Sequence, residues 1–255
     1  MMRKEDEIAV AREYFPRGLF QPEGTFRFSM DALLLARFAG AAKYRTAVDL
    51  GAGCGIVGLT MLLENEQLAV TGLELQPVLL DAAKQNAESL GVAERFSGTL
   101  VDVGNIRASG LAAESADLVV SNPPYRRQNQ GRHAATQERT CALFETEGAL
   151  EAFVQAASFL VKNKGAFCCI FPSERLEELV VVCSRNKLTP KRIKFIHSKA
   201  DQNSTLVLLE ARKNGNCGVV VEAPLVMYSG IGDNTALTDG ALTFCPYLEC
   251  NARGR

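Results

Sequence analysis

The chain has 255 residues, of which 47% are hydrophobic and 22% charged, with a formal net charge of -1. These proportions are typical of a soluble globular protein with a sizeable core, and they argue against a chain that coats nucleic acid indiscriminately. No apolar run approaches transmembrane length, and the charged first residues are unlike a signal peptide. The chain has only two histidines, and none of its eight cysteines forms a C-x-x-C pair. We therefore expect reduced thiols in a cytoplasmic protein, with no metal site and no disulfide framework.

The first part of the chain predicts a short helix followed by a loop or hairpin over residues 1–28, because proline and glycine interrupt an aromatic-rich segment. Ser29 is a good N-cap residue, so a helix is expected from about Met30 to Ala39, ending at Gly40. Asp31 lies in its first turn. Without further context, Asp31 fits a carboxylate that stabilises the helix dipole.

A strand, a glycine loop and a helix follow over Thr46–Leu50, Gly51–Gly55 and Ile56–Glu64. This order presents backbone N–H groups to a ligand at the start of the helix. The dinucleotide fingerprint G-x-G-x-x-G would need glycine where Ile56 stands, and no G-K-[ST] sequence follows. The loop therefore belongs neither to a dinucleotide-binding fingerprint nor to a nucleotide-triphosphate loop.

Acidic residues end the next two predicted strands. The strand from Leu68 closes with Glu74, which is placed to accept hydrogen bonds from ribose hydroxyls. Pro77 begins a helix that runs to about Leu90. The strand from Phe96 then ends at Asp102, where a carboxylate could bind the exocyclic amine of an adenine ring.

The fourth predicted strand, 116–121, leads into Asn122-Pro123-Pro124-Tyr125. The prolines end the strand, and the residue before a proline is held in extended geometry. The Asn122 side-chain oxygen and the Pro123 carbonyl could accept hydrogen bonds from an NH2 group, while Tyr125 stacks on the ring that carries it. Taken alone, the same residues also fit a plain strand-ending turn.

The second half of the chain predicts a mobile loop over 126–145, then further helices and strands. These are a helix at about 147–161, a strand at 165–171, a helix capped by Ser173, strands at 193–197 and 205–211 joined by a turn at Gln202-Asn203, and a short strand at 219–222. The segment from Arg185 to Lys199 contains six cations and no acid. Such a cluster fits contact with phosphates or, equally, a solvated surface.

The motif from Asp49 to Gly55, together with Glu74, Asp102 and the N-P-P-Y sequence, resembles class I S-adenosylmethionine-dependent methyltransferases. N-P-P-Y is similar to the motif of members that methylate an amine, at adenine N6 or a glutamine amide. The segments 26–35, 190–197 and 206–210 resemble the bacterial valine-tRNA adenine-N6 methyltransferase family, so the resemblance covers roughly residues 14–230. The segment 135–139 departs from the Ala-Arg-His-Glu stretch that this family often shows.

The resemblance implies one class I methyltransferase domain over residues 1–255, in which 1–45 form an entry segment or lid. The fold would be α/β, a Rossmann-like seven-stranded sheet with a C-terminal antiparallel hairpin and helices on both faces. The implied activity is methylation of adenine N6 in a tRNA, near the anticodon, with S-adenosylhomocysteine as product. The partner would be RNA, with tRNA favoured, and the chain would be a monomer or weak homodimer without a membrane.

The resemblance also assigns roles to single residues. The donor would be held by Phe28, Asp31, Asp49, Gly51, Gly53, Gly55, Glu74, Asp102 and Asn122. Asp49 would either orient the glycine loop or meet the amino group of the donor. Catalysis would rest on Asn122, Pro123 and Tyr125. The RNA would be held by Arg126, Arg127, Arg132, Arg192 and Lys194.

Three alternatives fit the same motifs. A protein-glutamine methyltransferase shares the N-P-P-Y chemistry, although such enzymes usually carry a helical substrate domain before the glycine loop, and only about 45 residues precede Asp49 here. A ribosomal RNA N-methyltransferase is a second alternative. A protein of a different class, an RNA-binding protein that has lost turnover, is the third.

Overall fold

The computed structural model describes residues 3–25, 27–124, 126–127, 144–145 and 148–249. The chain begins with α1 (Lys4–Tyr14), which is followed by a loop and by α2 (Met30–Ala39). Both agree with the prediction, and Gly40, at a φ of 59°, ends α2. Ser29 is the N-cap residue of α2, as predicted, and has extended backbone geometry. Its hydroxyl makes no capping hydrogen bond and is buried without a partner among the described residues.

A central sheet contains the seven predicted strands. They are β1 (Thr46–Leu50), β2 (Ala69–Glu74), β3 (Phe96–Leu100), β4 (Ala116–Ser121), β5 (Val161–Pro172), β6 (Leu188–His197) and β7 (Ser204–Lys213). Their order is β3-β2-β1-β4-β5-β7-β6, and only β7 runs antiparallel to its neighbours. Two short strands, β8 (Val220–Val221) and β9 (Leu225–Val226), pair in parallel with the outer edge of β6.

Four further helices cover the sheet. They are α3 (Ile56–Glu64), α4 (Pro77–Ser89), α5 (Ala149–Leu160) and α6 (Leu176–Arg185). The two apolar faces of the sheet form separate cores. Leu33 of α2 and Leu59 of α3 are fully buried in one core, whereas Val154 of α5 and Leu179 of α6 are fully buried in the other. Helices therefore lie on both faces, as predicted.

Ser173 does not cap α6 directly. A short 3₁₀ helix, Ser173–Arg175, precedes α6, and the Ser173 hydroxyl donates to the carbonyl of Ser204 at 2.5 Å. The serine therefore ties the end of β5 to the start of β7 instead of capping the helix. None of the described residues forms a helix that is long and apolar enough to cross a membrane.

The segment after β9 packs back onto α2. It contains α7 (Asp239–Phe244), and the Arg37 guanidinium of α2 donates to the Phe244 carbonyl at 2.9 Å. Tyr247 packs edge-to-face on Phe15, with ring centroids 5.1 Å apart. Cys245 is fully buried beside them. The sequence predicted no role for this segment, and the structure shows it closing the core beside the entry segment.

Candidate active site

A cavity of about 390 Å³ lies at the C-terminal ends of β1, β2 and β4. This edge is where open α/β sheets bind ligands, because the loops leaving parallel strands converge there. Six of the predicted site residues line the cavity. They are Phe28, Gly51, Gly53, Glu74, Asp102 and Asn122.

The three loop glycines have different surroundings. Gly51 and Gly53 line the cavity with φ of 72° and 55°, a region that disfavours any side chain. A Cβ on Gly53 would meet nothing within 4 Å, so its backbone faces open space. Gly55, at a φ of 90°, begins α3, and a Cβ there would lie 3.1 Å from the Ala83 Cβ. The structure therefore gives Gly55 a role in the close approach of α3 and α4, and not a position on the cavity wall.

Glu74 is buried, and backbone N–H groups fix its carboxylate in place. Oε2 accepts from Gly53 N–H at 2.8 Å, and Oε1 accepts from Leu75 and Gln76 N–H at 2.9 and 3.0 Å. A carboxylate has about four lone-pair directions, so roughly one remains, on Oε2. Glu74 thus shapes the glycine loop and keeps one acceptor position for a ligand hydroxyl.

Asp102 follows β3, the strand that pairs in parallel with β2, and lines the cavity. Its Oδ1 accepts from Gly104 N–H at 2.9 Å, and its Oδ2 accepts from the Asn105 side-chain amide at 2.8 Å. Each oxygen keeps a second lone pair. The carboxylate is therefore held in one orientation and can still accept a hydrogen bond from an exocyclic amine.

Asp49 lies behind the loop and is 1% exposed. Its Oδ2 accepts from Gly58 N–H in the first turn of α3 at 3.0 Å. Burial raises the pKa of the Asp49 carboxyl to about 7, although the Gly58 hydrogen bond opposes that shift. Asp49 is not among the described residues that line the cavity. Of the two roles left open by the sequence, these contacts favour orienting the loop and α3 over meeting the donor.

Asn122 follows β4 at the rim of the cavity. Its Oδ1 is buried and has no hydrogen-bond partner in the described part of the chain. The Ser121 hydroxyl donates to the Leu50 carbonyl at 3.1 Å, which joins the ends of β4 and β1 just before this residue. Pro123 is buried and Pro124 lines the cavity. The corner therefore presents an unsatisfied acceptor, which is costly to leave buried without a donor.

The remaining residues assigned to the N-P-P-Y corner and its loop fall largely outside the described chain. Tyr125 and Arg132 lie outside the described residues. The backbone of Arg126–Arg127 pairs in parallel with Phe144–Glu145.

The entry segment reaches the cavity through Phe28, whose N–H donates to the Gln21 side chain at 3.2 Å. Asp31 lies in the first turn of α2 and is not among the described cavity-lining residues. Asn86, which sequence reasoning missed, anchors the segment. Its side chain exchanges hydrogen bonds with the Phe20 backbone at 2.7 and 3.0 Å and donates to the Cys54 carbonyl at 3.0 Å.

Arg192 and Lys194, which the sequence assigned to RNA contact, are held in ion pairs with carboxylates. The Arg192 guanidinium pairs with Glu210 at 2.7 Å and with Glu222 at 2.6 Å, and it lies 4.3 Å from the Phe38 ring centroid. Lys194 pairs with Glu222 at 3.1 Å and has a side chain 13% exposed. The carboxylates that pair with these cations come from β7 and from the segment after β8. Both lie outside residues 185–199, so counting charges over that segment could not detect them.

Sequence reasoning also missed apolar and amide groups in the cavity wall. Leu75 lines it while remaining 59% exposed, and Phe153 of α5 stands over Gly51. The Gln76 side-chain Oε1 is buried and without a partner among the described residues. A glutamine directly before a helix-starting proline carries no functional signal, so only the folded geometry could find it.

The known family whose model matches the chain is the methyltransferase small domain, over residues 29–169. The chain belongs to this family. The matched residues include the strands, the glycine loop and the N-P-P corner that build the cavity. The residues that place the chain in this family therefore also form the cavity.

Curated relatives agree with the family. A tRNA1(Val) (adenine(37)-N6)-methyltransferase of Porphyromonas gingivalis is 28% identical over 193 residues, covering 73% of this chain and 74% of the relative. A protein of the same name from a Flavobacteriaceae bacterium is 24% identical and covers 79% of this chain and 84% of its own length.

Solved structures agree on the fold. A predicted O-methyltransferase from Agrobacterium tumefaciens superposes with a TM-score of 0.70 at 22% identity, covering 86% of this chain and 96% of that one. A TehB-like methyltransferase from Corynebacterium glutamicum superposes with a TM-score of 0.51 at 18% identity, covering 82% and 97%. The chain is a methyltransferase of class I fold that uses S-adenosylmethionine.

The residues present fit that methyl donor. A cavity of about 390 Å³ is within the range of small-molecule sites. Glu74 keeps an acceptor position for a ribose hydroxyl, and Gly53 has no Cβ to obstruct a ligand. Leu75 and Val103 supply apolar surface to the same cavity wall as Asp102, which suits an adenine ring whose amine meets a carboxylate.

Proposed function

We propose that this methyltransferase transfers the methyl group to the exocyclic N6 amine of an adenine in tRNA, in a valine tRNA near the anticodon. The observation that carries the proposal is the Asn122 Oδ1 atom, a buried acceptor without a partner in the described chain at the rim of the donor cavity. The relatives named tRNA1(Val) (adenine(37)-N6)-methyltransferase support the choice of adenine and of tRNA.

The chemistry follows from the weakness of the nucleophile. An adenine amine is a poor nucleophile because its lone pair is delocalised into the ring. When Asn122 Oδ1 and the Pro123 carbonyl accept its two N–H groups, the nitrogen is favoured in a pyramidal form, and the positive charge that develops on it is stabilised. When bound, the donor would supply a sulfonium whose methyl group is the electrophile and whose thioether, S-adenosylhomocysteine, is the leaving group. A carbon–nitrogen bond forms as the sulfur–carbon bond breaks, and the methylated amine then releases a proton to water.

The protein otherwise contributes orientation and the exclusion of water. We assign the donor ribose to Glu74 and the donor adenine amine to Asp102. Phe28 would cover the donor from the entry segment, and Asp31 would support that segment from α2. Tyr125 would stack on the target base, a contact worth about 1–3 kcal/mol in single-stranded recognition.

The RNA contacts are assigned to the loop that follows the N-P-P-Y corner. Arg126, Arg127 and Arg132 would contact phosphates beside a base that is unpaired or flipped out. Arg192 and Lys194 are not assigned to this role, because both already form ion pairs with Glu210 or Glu222.

A protein-glutamine amide is the second candidate acceptor, because the same pair of carbonyl oxygens would accept its two N–H groups. The test is methyl transfer from labelled S-adenosylmethionine to unmodified tRNA, ribosomal RNA and glutamine-containing peptides in parallel. The proposal expects label in tRNA alone, recovered as N6-methyladenosine after nucleoside analysis. Label confined to peptide or to ribosomal RNA would refute the assigned substrate, and no label with any acceptor would favour an RNA-binding protein without turnover.

A further inference from the structure

A second cavity, of about 400 Å³, lies at the opposite edge of the sheet. Its walls include Glu114, which precedes β4, Lys187, which precedes β6, and Lys213, which ends the antiparallel β7. The candidate active site lies at the other end of β4. The six residues of β4 alone separate the two edges by about 20 Å, at about 3.3 Å per residue. The second cavity is therefore distinct from the methyl-transfer site.

The charge of this second cavity is one-sided. Its lining contains four cations, Arg107, Arg185, Lys187 and Lys213, and one carboxylate, Glu114. The local charge of +3 contrasts with the net charge of -1 of the whole chain. A concave surface with one sign of charge concentrates ligands of the opposite sign.

Lys213 and Glu114 neutralise each other and are part of the fold. The buried Lys213 ammonium donates to the carbonyls of Ser158 and Val161 at 2.7 and 3.1 Å, and it lies 2.9 Å from Glu114 Oε1. These contacts use all three of its N–H groups. Lys213 therefore satisfies carbonyls at the C-terminal end of α5, and it lowers the pKa of Glu114.

The other three cations, Arg107, Arg185 and Lys187, form no ion pair within the described ranges. The Arg107 guanidinium lies 5.1 Å from the centroid of the Phe159 ring, which restricts its orientation without neutralising it. Like charges that line one concave space repel each other, and a bound anion would relieve that repulsion.

Unusual backbone geometry is concentrated at the same place. Glu114, Lys187 and Asn214 have φ of 52°, 61° and 51°, and all three line the cavity. Lys187 comes directly after the C-cap of α6, at the position where glycine is favoured. A lysine there is less stable than glycine, but it places an ammonium at the cavity. Strained residues of this kind cluster at binding sites more often than elsewhere.

We propose that this cavity binds phosphate groups. A guanidinium presents a planar set of donors that matches phosphate oxygens, and an ammonium adds a point charge. Arg107, Arg185 and Lys187 together therefore suit a phosphate ester better than they suit a carboxylate ligand. The ligand can be a free nucleotide or pyrophosphate, or the backbone of an RNA strand, because both present the same chemistry. The proposal does not depend on the acceptor assigned to the methyl-transfer site.

The test uses two probes at fixed ionic strength. Pyrophosphate binding is measured by calorimetry, and binding of a fluorescent oligouridine, which has no adenine to methylate, by anisotropy. The variant Arg107→Gln/Lys187→Gln is compared with Lys4→Gln/Lys84→Gln, which removes the same charge from exposed helix surfaces. We expect at least one probe to bind about tenfold more weakly to the first variant, since each cation supplies charge-assisted hydrogen bonds. The matched control should change by less than about twofold, because its charges are screened by salt.

The two arms identify the source of the phosphate. Loss confined to pyrophosphate indicates a free phosphate ligand, whereas parallel loss with oligouridine indicates an RNA backbone. If neither probe distinguishes the cavity variant from its control, the proposal is overturned.

Lys187→Gly separates binding from folding. Glycine suits the left-handed backbone, so the melting temperature should rise while affinity for the responsive probe falls. A rise in melting temperature with unchanged affinity would remove Lys187 from the site.

Discussion

Glu74→Gln is the substitution that examines the donor cavity most sharply, because the change is almost isosteric. The carboxylate accepts three backbone N–H groups, and its Oε2 is the atom that faces Gly53 N–H at 2.8 Å. A glutamine can keep its oxygen on Leu75 and Gln76 N–H. It then places its NH2 group against Gly53 N–H, where two donors face each other.

The expected magnitude follows from the bonds that are lost. The Gly53 N–H loses a charge-assisted hydrogen bond, worth about 1.5–3 kcal/mol, from the stability of the folded chain. The donor ribose loses its acceptor on Oε2, and a loss of the same size in binding corresponds to roughly 10- to 100-fold weaker affinity. The free energy of unfolding and the donor affinity should therefore both fall.

The assay is calorimetric titration with S-adenosylhomocysteine, together with urea unfolding. Glu66→Gln, at an exposed position in the turn before β2, is the matched control and should change neither quantity. A 2′,3′-dideoxyribose analogue of the ligand completes a thermodynamic cycle. If Glu74 acts through the ribose hydroxyls, the substitution should weaken binding of the analogue much less. Equal weakening for both ligands would refute the assigned ribose contact, and unchanged affinity for S-adenosylhomocysteine would refute the placement of the donor.

Three further predictions concern the framework of the site. Burial raises the pKa of the Asp49 carboxyl to about 7, so the folded chain holds a proton that the unfolded chain releases near pH 4. The free energy of unfolding should therefore fall by up to about 3 kcal/mol as the pH rises from 5 to 8. Urea unfolding should show that Asp49→Asn removes this pH dependence. Gly55→Ala forces a side chain into the left-handed region and toward Ala83, and should cost about 2–4 kcal/mol in the free energy of unfolding; a loss below about 0.5 kcal/mol would contradict the packing described. Arg192→Gln should lower the free energy of unfolding by about 1–3 kcal/mol, because the buried Glu210 loses an ion-pair partner, and it should change tRNA affinity little. A large loss of tRNA affinity without destabilisation would return Arg192 to the RNA-contacting residues.

The elements around the glycine loop were predictable because each carries a local signal. The run Thr46–Leu50 alternates little and is buried on both faces, as expected for a central parallel strand, and Ile56–Glu64 begins at a glycine with positive φ. The same holds for Glu74 and Asp102, since a polar residue that ends a parallel strand must lie at the ligand-binding edge.

Other features depend on tertiary contacts that no local pattern contains. Asp49 was assigned two possible roles, and only the 3.0 Å contact with Gly58 N–H in α3 favours one of them. Asn86 is one polar residue in an amphipathic helix, yet its amide joins the entry segment to the glycine loop. The cations of 185–199 fall into two groups. Strand pairing brings carboxylates to Arg192 and Lys194, whereas Arg185 and Lys187 line the second cavity.

The most direct test of the proposed chemistry is a single-turnover rate on unmodified tRNA with saturating donor. Asn122→Ala is compared with Asn216→Ala, which truncates an exposed asparagine on the loop after β7. If Asn122 Oδ1 stabilises the charge that develops on the adenine amine, its loss should slow methyl transfer roughly 100-fold or more, with the donor dissociation constant nearly unchanged. A rate equal to that of the Asn216→Ala control would contradict the account.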